Sequence, residues 1–164
     1  MTQIKSLDDI RTLRENREVE CKLAQGRDGQ GALPEDIWET YSAFANTDGG
    51  DIFLGLKERP DQTYELAGIV YPERVIDAFL RGLNEPGRVS CNVMCASLCR
   101  VITLGDRNLV HIHVPAASPQ QRPVYIGGNP LTGTYRREHS FDVRLDADSV
   151  RAWLHGHDDS ACRC

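Results

Sequence analysis

Long hydrophobic runs are missing from this sequence of 164 residues. Its apolar stretches, such as DIFLGL and NLVHIHV, are far shorter than the roughly 20 residues that span a bilayer, so no membrane partner is expected. The N-terminus also lacks a charged and then apolar leader with a cleavage site, which predicts a cytoplasmic location. With 40% hydrophobic and 26% charged residues, the chain has the composition of one globular domain.

An excess of positive charge is lacking as well. The chain has 19 Lys and Arg against 24 Asp and Glu, a formal net charge of −5, which argues against a protein that coats nucleic acid by bulk electrostatics. The arginines nevertheless form two groups, one near each end of the chain: Arg11, Arg14 and Arg17, and Arg136, Arg137, Arg144 and Arg151. If the fold joins them, they make a basic surface on an acidic body; the alternative is an ordinary solvated face.

Signatures of disulfides and of zinc sites are weak. The six cysteines include no CxxC pair, and in a cytosolic chain they are expected to be free thiols. His111 and His113 alternate on an apolar strand, where hydrogen-bonded or exposed histidines are more common than a metal pair.

Periodicity, capping and turn signals predict a mixed chain. Helices are predicted over 6–16, 34–46, 72–84 and 146–156. Strands are predicted over 18–24, 51–58, 63–70, 88–95, 98–108, 109–115, 124–128 and 133–138. This order predicts an α/β (α+β) fold, a mixed β-sheet flanked by about four helices, in a single domain over 1–156 with a flexible tail over 157–164.

The stretch REVECKLAQGRDG, residues 17–29, carries the first candidate site. Its alternation places Glu18, Glu20 and Lys22 on one face of a short strand. Carboxylates beside a lysine are able to hold a hard cation and a phosphate. The alternative is an exposed Glu20–Lys22 ion pair, worth at most about 1 kcal/mol. From these residues alone, both interpretations remain open.

Three stretches together resemble the AlbA-like domain of the Schlafen family: REVECKLA, SAFANTDGGDIFLGLKE and NPLTGTYRRE. The family pattern is an acidic E-x-K strand, an A-F-A-N-T-x-G-G helix end, an apolar strand and a late Y-R-R strand, and these follow here in order from Arg17 to Glu138. The resemblance implies a domain that binds DNA or RNA, of the kind found in bacterial transcriptional regulators and ATP-binding proteins.

The resemblance also implies a set of site residues. Vertebrate Schlafens cleave structured RNA with two glutamates five residues apart, a lysine after them and a further acid. Carried over to this chain, the catalytic residues are Glu15, Glu20, Lys22 and Glu58, and the three glutamates are the ligands of Mg²⁺ or Mn²⁺. Glu58 stands where aspartate is more usual, which keeps the charge and lengthens the reach by one methylene.

Nucleic-acid contacts are expected from Arg17, Lys22, Asn46, Thr47, Tyr135, Arg136 and Arg137. The NTDGG turn after the second helix offers backbone N–H groups to a phosphate, or is simply a helix C-cap. Tyr135 and Arg137 share a strand face that suits a base and a phosphate, although Arg136 or Arg137 pairing with Glu20 or Asp142 is the alternative.

These observations predict a nucleic-acid-binding domain of a transcriptional regulator. The alternatives are a metal-dependent endoribonuclease acting on structured RNA and a nucleotide-sensing module that binds ATP, although the sequence has no P-loop. Because two lobes clamp the nucleic acid in vertebrate Schlafens, a homodimer is the expected assembly of a single lobe.

Overall fold

The computed structural model describes residues 1–162, with side chains described for residues 1–156. The helices are α1 (Leu7–Thr12), α2 (Ile37–Ala45), α3 (Pro72–Gly82), α4 (Pro130–Gly133) and α5 (Ala147–Cys162). The strands are β1 (Val19–Lys22), β2 (Gly50–Leu54), β3 (Leu56–Glu58), β4 (Tyr64–Leu66), β5 (Cys99–Leu104), β6 (Arg107–Val114), β7 (Tyr135–Glu138) and β8 (Phe141–Arg144). The predicted mixed class is confirmed.

The main sheet has four strands in the order β1-β2-β6-β5. Strand β1 runs parallel to β2, with Val19 opposite Asp51, while β6 is antiparallel to both β2 and β5. The β3–β4 and β7–β8 hairpins form two separate two-stranded sheets. Among the described residues no helix is long and apolar enough to cross a bilayer.

Hydrophobic clusters cover both faces of the main sheet. On one face, helices α2 and α3 bury Tyr41, Phe44 and Phe79 against the apolar side chains of β2 and β6. Trp38 stacks on Phe79 with ring centroids 5.5 Å apart. The last residue of α3 has to be glycine for this packing, since a Cβ on Gly82 would lie 2.4 Å from the Trp38 ring.

The N-terminal segment and the β3–β4 hairpin cover the other face. Ile4, Ile10 and Leu13 pack there with Val19 and Phe53 of the sheet. Leu13 already has an extended backbone, with φ −65° and ψ 137°, and turns into this cluster. The first helix therefore ends at Thr12, rather than near residue 16 as its periodicity predicts.

Three predicted strands differ in the structure. The single strand predicted over 51–58 breaks at Gly55, whose φ of 106° turns the chain from β2 into β3. The runs at 88–95 and 124–128 form only isolated bridges, Val89–Ile126 and Tyr125–Thr134. Strand β7 pairs with β8, which the sequence analysis did not predict.

The cysteines agree with the expectation of free thiols within the described range. Cys21, Cys91, Cys95 and Cys99 are unpaired. The other two, Cys162 and Cys164, belong to the predicted tail at 157–164, which lies outside the residues whose side chains are described.

Candidate functional site

The four predicted catalytic residues line one open pocket at the edge of the main sheet. We call it the acid pocket; it has a volume of about 410 Å³. Its lining consists of Glu15, Glu20, Cys21, Lys22, Leu23, Pro34, Asp36, Leu56, Lys57 and Glu58. The structure thus brings together side chains from β1, from the segment before it and from β3.

Strand alternation places the two central residues of the pocket. Val19 and Cys21 of β1 are buried, so Glu20 and Lys22 point to the opposite face. The Lys22 ammonium lies 3.7 Å from Glu20 Oε1 and 3.1 Å from Asp36 Oδ2, and its side chain is only 9% exposed. Sequence reasoning missed Asp36, which stands at the start of α2 with no motif around it.

Glu20 is a carboxylate whose charge is costly. Burial raises the pKa of Glu20 to about 7, and the like charge of Glu15 adds to the shift, while Lys22 and Arg137 oppose it. Near neutral pH both protonation states of this carboxyl group are therefore populated, which is the property of an acid–base group or of a ligand that a cation deprotonates.

Glu15 and Glu58 are both neighbours of the buried Tyr64, and Glu58 is its cross-strand partner. Glu15 Oε1 accepts a hydrogen bond of 3.2 Å from the Cys21 amide and so caps the open edge of β1. Glu58 is exposed at the end of β3. Burial raises the pKa of Tyr64, and the neighbouring charges of Cys21, Glu15 and Glu58 raise it further.

The donor chemistry of the acid pocket suits Mg²⁺ or Mn²⁺, because three carboxylates offer hard oxygen ligands. In the structure as observed, however, the three carboxylates are not close enough together to coordinate one ion. Within the described part of the chain, no three His, Cys, Asp or Glu side chains converge into a group that would hold a metal.

Arg137 is buried beside the pocket and does not reach the surface. Its side chain is 0% exposed, and Nη1 donates to Glu20 Oε2 at 2.6 Å and to Asp142 Oδ1 at 2.7 Å. Nη2 and Nε donate to the carbonyls of Asn16 and Val19. All five N–H groups are used, so none is left for the predicted phosphate; the alternative, pairing with Glu20 and Asp142, is the arrangement observed.

Asn46 and Thr47 are also occupied by the fold. The Asn46 side chain donates to the carbonyls of Val124 and Tyr135 at 2.8 and 2.9 Å and accepts from the Val124 amide at 2.7 Å. Thr47 Oγ1 accepts from the Arg137 amide at 3.0 Å. With exposures of 6% and 8%, the two side chains join the end of α2 to β7 and present little to a ligand.

The NTDGG turn closes helix α2. The Gly49 amide donates to the Phe44 carbonyl at 2.9 Å with φ at 75°, a left-handed helix end. A Cβ on Gly50 would lie 2.6 Å from the Phe44 ring. The backbone conformation at Gly49 and the packing at Gly50 therefore both favour glycine, and the helix C-cap interpretation accounts for this turn.

The remaining predicted contacts are more accessible. Arg17 pairs with Asp48 at 2.9 Å, and both side chains are more than half exposed. Arg136 pairs with Glu138 and is 52% exposed, on the strand face opposite Arg137. Tyr135 is half-buried.

A polar cluster around Asp51 was not predicted. Asp51 Oδ1 accepts from His111 Nε2 and His113 Nδ1, each at 2.8 Å, and Oδ2 accepts from the Thr2 amide at 2.8 Å. Arg100 Nε donates to His111 Nδ1 at 3.1 Å, which fixes the hydrogen of His111 on Nε2. The histidine pair predicted from β6 is thus hydrogen-bonded to a buried carboxylate of β2.

No protein-family model and no curated protein matches this sequence. Among solved structures, the fold is similar to the N-terminal domain of a protein from Nitrosomonas europaea, named as related to the ATP-dependent DNA helicase RecG. The two share 24% identity with a TM-score of 0.59, over 85% of this chain and 90% of that one.

The fold is also similar to a protein from Corynebacterium diphtheriae, with 16% identity and a TM-score of 0.54. That match covers 86% of this chain but 24% of the other, so this chain spans about a quarter of the length of that protein. Both likenesses establish the fold.

Proposed function

We propose that this chain is a nucleic-acid-binding domain of the Schlafen AlbA-like type, acting in a cytoplasmic transcriptional regulator. The observation that carries the proposal is the likeness to the N-terminal domain of the RecG-related protein, which extends over 85% of this chain and 90% of that one. The E-x-K, A-F-A-N-T-x-G-G and Y-R-R stretches support the same family, because they lie on β1, α2 and β7 and meet around one buried arginine, Arg137.

Direct binding measurements test this proposal. Fluorescence anisotropy with labelled single-stranded and duplex DNA and RNA, at low ionic strength and with EDTA, is expected to give saturable association that weakens as salt is added. The absence of association with all four ligands would overturn the proposal.

A metal-dependent endoribonuclease acting on structured RNA is the second candidate. The observation in its favour is that Glu15, Glu20, Glu58 and Lys22 line one open pocket although they come from separate segments. A divalent cation bound there would supply Lewis-acid chemistry for phosphodiester cleavage. Lys22, held between Glu20 and Asp36, places a positive charge where a phosphate entering the pocket gains negative charge.

Two charge-matched variants test the nuclease candidate. Glu58→Gln changes an exposed pocket residue, and Glu18→Gln changes an exposed residue beside β1 that does not line the pocket. Cleavage of structured RNA with Mg²⁺ or Mn²⁺ should be lost in Glu58→Gln and retained in Glu18→Gln. A Mn²⁺-dependent rise in melting temperature should show the same difference. If the wild-type protein leaves RNA intact with both ions, this candidate is removed and the binding proposal stands.

A further inference from the structure

A second cavity lies next to the chain segment that leaves the acid pocket, since Leu23 lines the acid pocket and Gln25 lines this cavity. It has a volume of about 430 Å³, and we call it the arginine cavity. Its lining consists of Gln25, Gly29, Ala67, Gly68, Ile69, Val70, Asp106, Arg107 and Asn108. Three segments thus meet around it: the glycine-rich loop 25–31, the segment 67–71 and the turn between β5 and β6.

Backbone hydrogen bonds hold these three segments in place. The Gly31 amide donates to the Gln25 carbonyl at 2.9 Å and closes the base of the glycine-rich loop. The Tyr71 amide donates to the Gln30 carbonyl at 2.9 Å, and the Ile69 amide donates to the Asn108 carbonyl at 2.8 Å. The walls of the cavity are therefore tied to one another, which lowers the entropic cost of binding a ligand between them.

Arg107 lines this cavity, and one edge of its guanidinium group is unused. Nη1 donates to the carbonyls of Leu66 and Ala67 at 3.1 and 3.2 Å, which uses both of its hydrogens. The stem packs against Gly68, where a Cβ would lie 3.3 Å from that of Arg107. Nε and Nη2 have no hydrogen-bond partner in the described part of the chain. These two groups form the edge with which arginine binds two oxygens of one phosphate.

Two further arginines do not line the cavity themselves but adjoin segments that do. Arg74 lies over the ring of Tyr71 at 4.8 Å and is 3.9 Å from Asp28 Oδ2, the long limit of an ion pair. Arg27 is exposed in the glycine-rich loop, and no described residue pairs with it. Around the cavity, Arg27, Arg74 and Arg107 together with Asp28 and Asp106 give one net positive charge. The whole chain has a net charge of −5.

Apolar surface adjoins these charges. Val70 and Tyr71 are 59% and 46% exposed. An aromatic ring beside a cation is the surface on which an unstacked base binds, whereas a base inside a duplex is not accessible to it.

We propose that the arginine cavity binds a backbone phosphate of a single-stranded nucleic acid. Leu23 lines the acid pocket and Gln25 lines the arginine cavity, so an extended chain of about 7 Å separates the two lining positions. The two sites are therefore neighbours along this segment of the chain. This inference rests on the proposed nucleic-acid-binding function and assigns it to residues outside the family motifs.

Charge-matched variants of the full chain test the proposal by anisotropy with a labelled single-stranded oligonucleotide in EDTA. Arg107→Gln and Arg74→Gln should each weaken binding about tenfold at low salt and lower the salt slope by about one. The control is Arg81→Gln on the same helix as Arg74, a 79% exposed residue that pairs with Asp77 and lies away from the cavity. The control should stay within about twofold of the wild type.

The outcomes separate this inference from the function on which it rests. If the wild type binds no nucleic acid, both fall. If the wild type binds, but Arg74→Gln and Arg107→Gln behave like Arg81→Gln, the arginine cavity is excluded and the proposed function stands. Equal affinity for a duplex of the same sequence would also overturn the single-strand assignment. Arg107 also joins two segments through its bonds to the Leu66 and Ala67 carbonyls, so circular dichroism has to show that Arg107→Gln is folded. Arg74→Gln tests binding at a residue whose side chain makes no such bonds to any described residue.

Discussion

Replacing Arg137 by methionine tests whether this buried arginine holds the domain together. The substitution keeps much of the side-chain volume and removes all five N–H donors. It leaves the carboxylates of Glu20 and Asp142, whose side chains are 12% and 14% exposed, without their shared cation. The carbonyls of Asn16 and Val19 also lose a donor.

The expected loss is large. Removing one partner of a buried ion pair costs about 3–5 kcal/mol, because the remaining charge stays buried and unpaired. A domain of this size is stable by about 5–15 kcal/mol, so the variant loses a substantial part of its stability. Lysine at this position keeps the charge but not the planar array of donors, and Arg137→Lys should therefore lie between the wild type and Arg137→Met.

The loss should depend on pH. The pKa of Glu20 is already raised to about 7, above its value in the unfolded chain, so its carboxyl group favours the folded state when protonated and disfavours it as pH rises through 7. Arg137 opposes this shift, and without it the pKa of Glu20 rises further. The stability of the variant should therefore fall more steeply than that of the wild type between about pH 5 and about pH 8.

Urea unfolding followed by tryptophan fluorescence measures both effects, with buried Trp38 as a reporter. The control is Arg136→Met, which changes the adjacent, 52% exposed arginine and should shift the free energy of unfolding by at most about 0.5 kcal/mol. A loss below about 1 kcal/mol at pH 8 in Arg137→Met, or a loss independent of pH, would refute this reasoning. Combining Arg137→Met with Glu20→Gln and Asp142→Asn should recover part of the stability.

Three other substitutions or titrations have definite expected outcomes. Burial would raise the pKa of Asp51, but hydrogen bonds from His111, His113 and Thr2 outweigh it and hold the pKa below its usual value; Asp51→Asn should therefore cost about 1–3 kcal/mol at neutral pH, a difference that urea unfolding should show shrinking as pH falls below about 4. Gly82→Ala places a Cβ 2.4 Å from Trp38 and should lower the free energy of unfolding by about 1–3 kcal/mol in thermal melts. If the nuclease candidate is correct, Mn²⁺ has to displace the proton of Glu20 in the acid pocket, so calorimetry should find weaker binding and more proton release at about pH 6 than at about pH 8.

Local signals predicted the elements whose sequence periodicity matches their burial. Helix α3 begins at Pro72 as predicted, because proline suits the first helical turn and the apolar positions lie on one side. The β5–β6 hairpin follows from two apolar runs around the Gly105–Asp106 turn. For the candidate site, Glu15, Glu20 and Glu58 came from the family resemblance, since no local pattern connects residues that far apart in the sequence.

The sequence could not predict which side of β7 faces the interior. Alternation places Tyr135 and Arg137 on one face, and a charged residue is ordinarily assigned to the solvent side. The tertiary structure reverses that assignment, because Glu20 and Asp142 approach from β1 and β8 and compensate the buried charge. Strand β8 itself had no predicted pairing, so pairing of an arginine with Asp142 was open only as the alternative to a phosphate contact.

The same residues explain why the motif stretches are so informative about the fold and so poor as guides to a ligand. Asn46, Thr47 and Arg137 interlock the end of α2, strand β7 and strand β1, and each would be required even if nothing were bound. A variant at any of them that loses nucleic-acid binding would therefore report on folding first. Ligand contacts have to be sought among charges that the fold leaves accessible, such as Glu58 in the acid pocket and the outer edge of Arg107 in the arginine cavity.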